Sequence, residues 1–363
     1  MTTKRIGLVL QGGGALGAYE CGVIKALYDH DPAFHVDVVS GVSIGAINAA
    51  VLVGAKHSPV QTLEQMWREH FASRDWPLLP REMQPYLSTM WGTPGMCRIR
   101  PDFLMAPLMA TSIYETSLLR RTLSELIDLE CLNRSSTHLV VTAVDIATGE
   151  LTCFENRNRR VPFSLEMILA SGSLAPNFPM TRATDQRTSK QGWYWDGGFS
   201  SNLPLSQVIN LLEQCDEGDR HVEREVIVVE LFPMRAQVPT TLLEVHNRLT
   251  QLLFSSKLKL DHRLFDKIDG YIDLMQQIEK ELPAESELRQ HPAYKHLMSH
   301  RKIKYTVITS SRPESLTGAS NFSQATIEDR IEAGYQDAFA QLDERRLEKL
   351  DGSRSPSSPA VTW

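Results

Sequence analysis

The sequence has no apolar run long enough to cross a bilayer, and only five of its 363 residues are cysteine. The first absence leaves peripheral contact as the expected form of any membrane association, at the inner membrane surface. The second argues against a disulfide framework. Cys21, Cys97, Cys131, Cys153 and Cys215 are scattered, odd in number and without metal-ligand spacing, as expected of reduced thiols in a cytosol. No metal and no cofactor is expected. A basic tail or stripe is also missing, and the net charge is −6, which argues against nucleic acid as a partner. Met1-Thr2-Thr3-Lys4-Arg5 leads into an apolar run of only five residues, too short for the core of a signal peptide, so the expected location is cytoplasmic. No internal repeat is apparent. The length suits one large domain or two moderate ones with ample core.

What is present is organised around Gly41-Val42-Ser43-Ile44-Gly45. Residues 34–40 before it read as a short apolar strand, and Ile44 to Gly54 after it as a helix. A serine between two glycines, entered from a strand and left by a helix, is the setting of a nucleophile elbow. The turn is so tight that Gly41 and Gly45 have no room for side chains. Ser43 is expected in a strained backbone conformation with its hydroxyl thrust outward, at the positive end of a helix.

Upstream, Ile6 to Leu10 reads as a strand buried on both faces, and Ala18 to His30 as a helix. The loop between them, Gln11-Gly12-Gly13-Gly14-Ala15-Leu16-Gly17, is a ready anion site. It fits the dinucleotide fingerprint, with Asp31 or Asp37 as the acidic partner. It equally fits a loop whose N–H groups meet a developing oxyanion. A second strand running into Gly-x-Ser-x-Gly favours the oxyanion, because the dinucleotide fold wants its acidic residue at that strand's tip.

Further along, Gln61 to His70 reads as helix. Residues 74–107, rich in proline and methionine and holding Trp76 and Trp91, read as an irregular excursion able to line an apolar groove. Thr116 to Ile127 has helical spacing, His138 to Val144 and Leu151 to Phe154 read as paired strands, and Val161 to Ala170 as a helix. Trp193-Tyr194-Trp195 suits a buried strand ending at Asp196, where Gly197 and Gly198 free the chain to turn and leave the carboxylate uncovered. Ser201 to Leu205 opens the next helix, with Pro204 in its first turn. Glu225 to Phe232 and Lys302 to Ser310 read as strands, Thr241 to Lys280 and Ile327 to Leu347 as amphipathic helices, and Pro283 to Arg301 as mostly helical. Residues 351–363 read as a disordered tail.

A serine hydroxyl needs a base. The histidines late enough to follow an α/β-hydrolase order, His221, His246, His262 and His291, all fall in polar or helical text. Taken together, Gly12 to Gly17, Gly41 to Gly45 and Asp196-Gly197-Gly198 resemble, in order and rough spacing, the motifs of patatin-like phospholipases, with the look of a bacterial member. The resemblance runs from about Ile6 to Leu212. Leu231-Phe232-Pro233 and Arg248 to Leu260 are similar to a C-terminal extension of one bacterial subgroup.

The resemblance implies a three-layer α/β/α sandwich on a mostly parallel central sheet, with a C-terminal helical extension. It implies a catalytic domain over residues 6–212 and an extension over 213–350 packed on that core. It implies a Ser-Asp dyad, Ser43 as nucleophile and Asp196 as base, with backbone N–H groups of Gly12, Gly13 and Gly14 as the oxyanion hole. Gly17, Gly41, Gly45, Gly197 and Gly198 would support those motifs. The implied activity is hydrolysis of acyl esters in lipids, with a lipid as partner and oligomer formation left open. Leu16 stands where many relatives carry Arg or Lys, which weakens any claim to head-group recognition there. Other readings are an esterase for different hydrophobic esters or a storage polyester, a nucleotide-binding regulator, and a catalytically dead scaffold.

Overall fold

A computed structural model describes residues 4–73, 92–215, 222–232, 238–255, 258–300, 302–311 and 318–351. Its strands are β1 (Lys4–Leu10), β2 (Val38–Val42), β3 (Gly92–Thr93), β4 (Cys97–Ile99), β5 (Tyr114–Glu115), β6 (His138–Asp145), β7 (Leu151–Glu155), β8 (Thr181–Thr184), β9 (Gln191–Asp196), β10 (Glu223–Glu230) and β11 (Ile303–Thr309). Its helices are α1 (Gly17–His30), α2 (Ile44–Gly54), α3 (Pro59–Gln65), α4 (Pro101–Met105), α5 (Ser117–Leu126), α6 (Leu129–Arg134), α7 (Leu165–Ser171), α8 (Leu205–Cys215), α9 (Leu242–Phe254), α10 (Leu258–Glu281), α11 (Pro292–Ser299) and α12 (Gln324–Asp351). Among the described residues, no helix is long and apolar enough to cross a membrane.

Eight strands form one sheet in the order β11-β10-β1-β2-β6-β9-β8, with β7 also paired to β6. The run β11-β10-β1-β2-β6 is parallel, and β7, β8 and β9 join antiparallel. The expected mostly parallel sheet is therefore what forms. Strands β10 and β11, from the 213–350 stretch, extend the sheet itself by pairing outward from β1.

Alternation along the central strands puts apolar side chains on both faces. Leu8 and Leu10 of β1 and Ile227 and Val229 of β10 join the large cluster that holds α1, α2 and α7 residues. Val9, Val226 and Val228 face the other way, onto Leu205, Val208, Leu211 and Leu212 of α8. Helices thus cover both faces, the three-layer arrangement that buries a two-sided sheet. The C-terminal helix α12 belongs to this core: Ile327 and Ile331 are buried in the same cluster as α1.

Several elements differ from their sequence reading. Strand β2 begins at Val38 rather than Phe34 and continues through Gly41 and Val42 to the edge of the serine turn. The stretch after α3 continues as a wider, π-type turn over Met66–Phe71. Helix α7 starts at Leu165, because Val161-Pro162-Phe163 is pinned in extended loop by neighbours: Asn158 Oδ1 accepts from Val161 N and Asn133 Oδ1 from Phe163 N. Strand β9 is not wholly buried: Tyr194 is 1% exposed, but Trp193 is 50% exposed. Residues 201–204 are loop, and α8 begins at Leu205. The long helix read over residues 241–280 is two helices, α9 and α10, separated at Ser255. Trp76, Trp91, His221, Pro233 and the tail from residue 352 lie outside the described residues.

Candidate active site

The sheet brings three distant stretches to one edge. Leu10 pairs with Gly41, Val42 with Thr142, and Ala143 with Asp196. The glycine loop leaves the end of β1 beside the serine turn at the end of β2. Asp196, last residue of β9, stands one strand beyond, across β6. This is the carboxyl end of the parallel strands, where open α/β sheets bind their ligands.

Ser43 has φ 57° and ψ −124°, outside the regions a side chain favours. Such strain costs about 1–3 kcal/mol and persists only where surroundings enforce it. Here the enforcement is steric. A Cβ on Gly41 would strike the Gly45 backbone, and one on Gly45 would lie 2.5 Å from the Leu10 carbonyl. The Ser43 N–H donates to Ser171 Oγ at 3.0 Å, locking the turn to α7. Ser43 occupies the N-cap position of α2, yet its hydroxyl does not cap the helix. The side chain is left for the pocket.

Asp196 is 1% exposed. Its Oδ1 accepts from the Gly198 N–H at 2.8 Å, capping the short turn 197–199. A Cβ on Gly197 would lie 2.5 Å from the Thr142 carbonyl, so the turn can fold against β6 only with glycine there. The second oxygen, Oδ2, is buried with no hydrogen-bond partner. Loss of water pushes the carboxyl up to about 7, against the opposing pull of the nearby Ser43 side chain and the Gly198 N–H.

In the glycine loop, Gly14 has φ +57°, and a Cβ there would lie 2.5 Å from the Ala319 carbonyl. Among the described residues, none takes a hydrogen bond from the N–H of Gly12, Gly13 or Gly14. The loop is held from outside by two buried amides that sequence reasoning missed. Asn202 Nδ2 donates to the Gly12 carbonyl at 3.0 Å and to the Phe254 carbonyl at 2.8 Å. Gln11 Nε2 donates to the same Phe254 carbonyl at 3.1 Å, while its Oε1 accepts from Leu231 N at 2.6 Å. The end of α9 is thus tied to the loop. The signal for Gln11 was a polar residue directly after an all-apolar strand. For Asn202 it was a capping-type residue just before Leu-Pro.

Ser43, Asp196 and Gly12 to Gly14 all line one cavity of about 410 Å³. Thr93, Met96 and Cys97 supply part of its wall, so the described part of the 74–107 excursion does line an apolar groove, and Tyr114 adds to it. Phe178, Phe199, Phe232 and Phe254 supply more of it. No described histidine lines the cavity, and among the described residues no cluster could hold a metal ion.

A family model described as patatin-like phospholipase matches residues 8–209. The chain belongs to the patatin-like phospholipase family. A second model, described as patatin phospholipase, matches residues 252–352 of this patatin-like chain. The protein is 42% identical over 69 residues to neuropathy target esterase sws of Drosophila melanogaster, covering 19% of this chain and 5% of that one. The match to the Drosophila erecta protein of the same name is also 42% over 69 residues, covering 19% and 4%. The aligned stretch is thus about a twentieth of those relatives' length. Among solved structures, VipD from Legionella pneumophila is 14% identical with a TM-score of 0.39, covering 94% of this chain and 67% of that one. The ExoU-SpcU complex of Pseudomonas aeruginosa gives 16% identity and a TM-score of 0.30, covering 96% and 77%.

Behind the glycine loop of this patatin-like domain lies a second buried carboxyl. Glu20 is fully buried, accepts from Asn48 Nδ2 at 2.8 Å, and is held well above the usual carboxylate range by desolvation. Asn48 in turn accepts from Trp67 Nε1 at 3.0 Å and donates to the Gly17 carbonyl. Burial therefore favours the protonated form of Glu20. Glu20→Gln is expected to change stability by less than about 1 kcal/mol, whereas Glu20→Ala, which strands Asn48, costs about 1–3 kcal/mol. Urea unfolding midpoints of the two variants at pH 7.5 check this.

Proposed function

We propose that the protein hydrolyses fatty-acyl ester bonds of phospholipids or related lipids, with Ser43 as nucleophile and Asp196 as its base. N–H groups of Gly12, Gly13 and Gly14 form the oxyanion hole in this reading. The observation that carries it is the buried Asp196 Oδ2, unpartnered in the same cavity as an uncapped, strained Ser43. A carboxylate raised to about 7 is matched to proton transfer near neutral pH.

Asp196 takes the hydroxyl proton as Ser43 Oγ attacks the ester carbonyl. The glycine-loop N–H groups hold the negative oxygen of the tetrahedral intermediate, each such donor contributing about 3 kcal/mol. The intermediate collapses, Asp196 returns the proton to the leaving alcohol, and an acyl-serine remains. Water then attacks with Asp196 again as base, the proton returns to Ser43, and the fatty acid leaves. Residues 6–212 carry this chemistry, while residues 213–350 close the pocket through Phe232, Thr250, Phe254 and Ala319. The enzyme works in the cytoplasm on lipid presented at a membrane surface.

Fatty-acid release from phosphatidylcholine vesicles, compared with release from a storage polyester, tests the substrate class. Lipid turnover well above polyester turnover is expected, and the reverse would move the protein to the polyester esterases. The pH profile tests the base. An ionised Asp196 is required, so kcat/KM for a soluble ester should rise through a midpoint near pH 7 and stay level above it. A midpoint near 4 would show a base that is not desolvated.

A further inference from the structure

Helix α9 presents an aliphatic face outward. Leu242, Val245, Leu249, Leu252 and Leu253 are 86%, 47%, 55%, 49% and 68% exposed, while the polar Gln251 is 5% exposed. At 3.6 residues per turn those five aliphatic side chains fall within an arc of about 100°. Thr250 and Phe254, about 60° and 100° around the helix from the edge of that arc, line the cavity that holds Ser43. The helix is firmly anchored at both ends. Thr241 and Glu244 form a capping box at its start, and its last carbonyl, that of Phe254, accepts from Gln11 and Asn202.

We propose that the aliphatic face of α9 is the surface by which this protein docks on a lipid bilayer, directly beside the mouth of its acyl-binding cavity. This rests on the lipid-hydrolase reading given above. Continuity with the cavity selects the occupant. Thr250 lies about 60° around the helix from the edge of the stripe and lines the cavity, so a protein partner seated on the stripe would stand against the entrance, whereas a bilayer supplies the substrate there. Phe199, 49% exposed and also lining the cavity, adds an apolar group at the rim.

Charge sets the kind of bilayer. The described side chains within the arc are all aliphatic. Glu244 Oε2 is turned back onto Thr240 and Thr241, and Arg248 onto Gln251. With a net charge of −6, the chain has no general attraction to an anionic surface. Docking is therefore by apolar insertion into neutral lipid, and is insensitive to salt.

The test uses the full chain carrying Ser43→Ala for binding and Ser43 intact for turnover, each with and without Val245→Gln, Leu249→Gln and Leu252→Gln together. Glutamine keeps helix propensity and adds no charge. Flotation with phosphatidylcholine vesicles should show binding at 50 mM and 500 mM salt alike. The triple variant should bind roughly 100-fold more weakly, since each side chain withdrawn from hydrocarbon contributes up to about tenfold. Hydrolysis of vesicle lipid should fall with binding, while kcat/KM for a monomeric short-chain ester stays within about twofold. Unchanged flotation of the triple variant would overturn the proposal. So would a parallel loss of short-chain ester turnover, which would make the face a structural wall. A wild-type dimer in light scattering that the triple variant splits would assign the face to a second copy instead. Failure of the hydrolase reading is separate: it appears as no ester turnover by the Ser43 enzyme, while the flotation arm still reports on docking.

Discussion

Asp196→Asn is expected to lower turnover of a soluble ester by on the order of 10⁴-fold while leaving the fold intact. The loss follows from position rather than charge alone. Oδ2 is the one buried oxygen of the pair left without a partner, and an amide there cannot accept the serine proton. Ser43→Ala should cost about as much, and the double variant little more than either single, because in the proposed dyad nucleophile and base act as one unit. The same change should stabilise the protein above neutral pH. The folded carboxyl titrates near 7 and the unfolded one near 3.8, so between those values the folded state holds a proton that the unfolded state has released. Stability contributed by Asp196 therefore falls as pH rises through that window. At pH 8 the ionised, desolvated group costs up to about 4 kcal/mol, which Asn does not incur. Urea midpoints at pH 5 and pH 8 read this directly. Asn should gain over Asp at both, and by clearly more at pH 8, because pH 5 has crossed only about the first third of that window.

Gly22→Ala is expected to destabilise the fold by about 3 kcal/mol or more, or to leave no soluble protein. Helices α1 and α12 meet backbone to backbone. A Cβ on Gly22 would strike the Ile331 carbonyl and lie 2.8 Å from the Tyr335 nitrogen, and one on Gly334 would strike the Tyr19 carbonyl. Backbone at such a crossing cannot shift without separating the helices. Tyr19 Oη donates to Asp337 Oδ2 at 3.0 Å beside the same contact. The control is Gly270→Ala in α10, where a Cβ meets nothing within 4 Å. There the smaller unfolded-state entropy of alanine should stabilise by about 0.5–1 kcal/mol. Opposite signs for one chemical change would identify the α1–α12 crossing as a fixed part of the catalytic fold.

That crossing was not legible in the sequence, and the reason is instructive. Gly22 and Gly334 each sit singly in a helical pattern, and nothing local says that they face one another. The central strands were legible because Leu8, Val9 and Leu10 are all apolar, as two-sided burial demands. The serine turn was legible because Gly41 and Gly45 flank a strand-to-helix change. The convergence of Asp196 on Ser43 depends on β9 pairing antiparallel to β6, a long-range choice that only the three motifs in combination suggested. Asn202 was misread because Pro204 pointed to a helix start. The chain instead spends residues 201–204 carrying that amide to the glycine loop. The outward face of α9 reads as an ordinary amphipathic stripe in sequence, where nothing reveals that its aliphatic residues face outward while Gln251 is buried.

The proposed dyad is read out by the rate at which a fluorophosphonate probe phosphonylates the protein, fluoride leaving as a serine Oγ–phosphorus bond forms, followed by intact mass and peptide mapping at pH 8. A single adduct on Ser43 is expected, none in Ser43→Ala, and a rate reduced by orders of magnitude in Asp196→Asn. An adduct that persists in Ser43→Ala, or a labelling rate indifferent to Asp196→Asn, would contradict it.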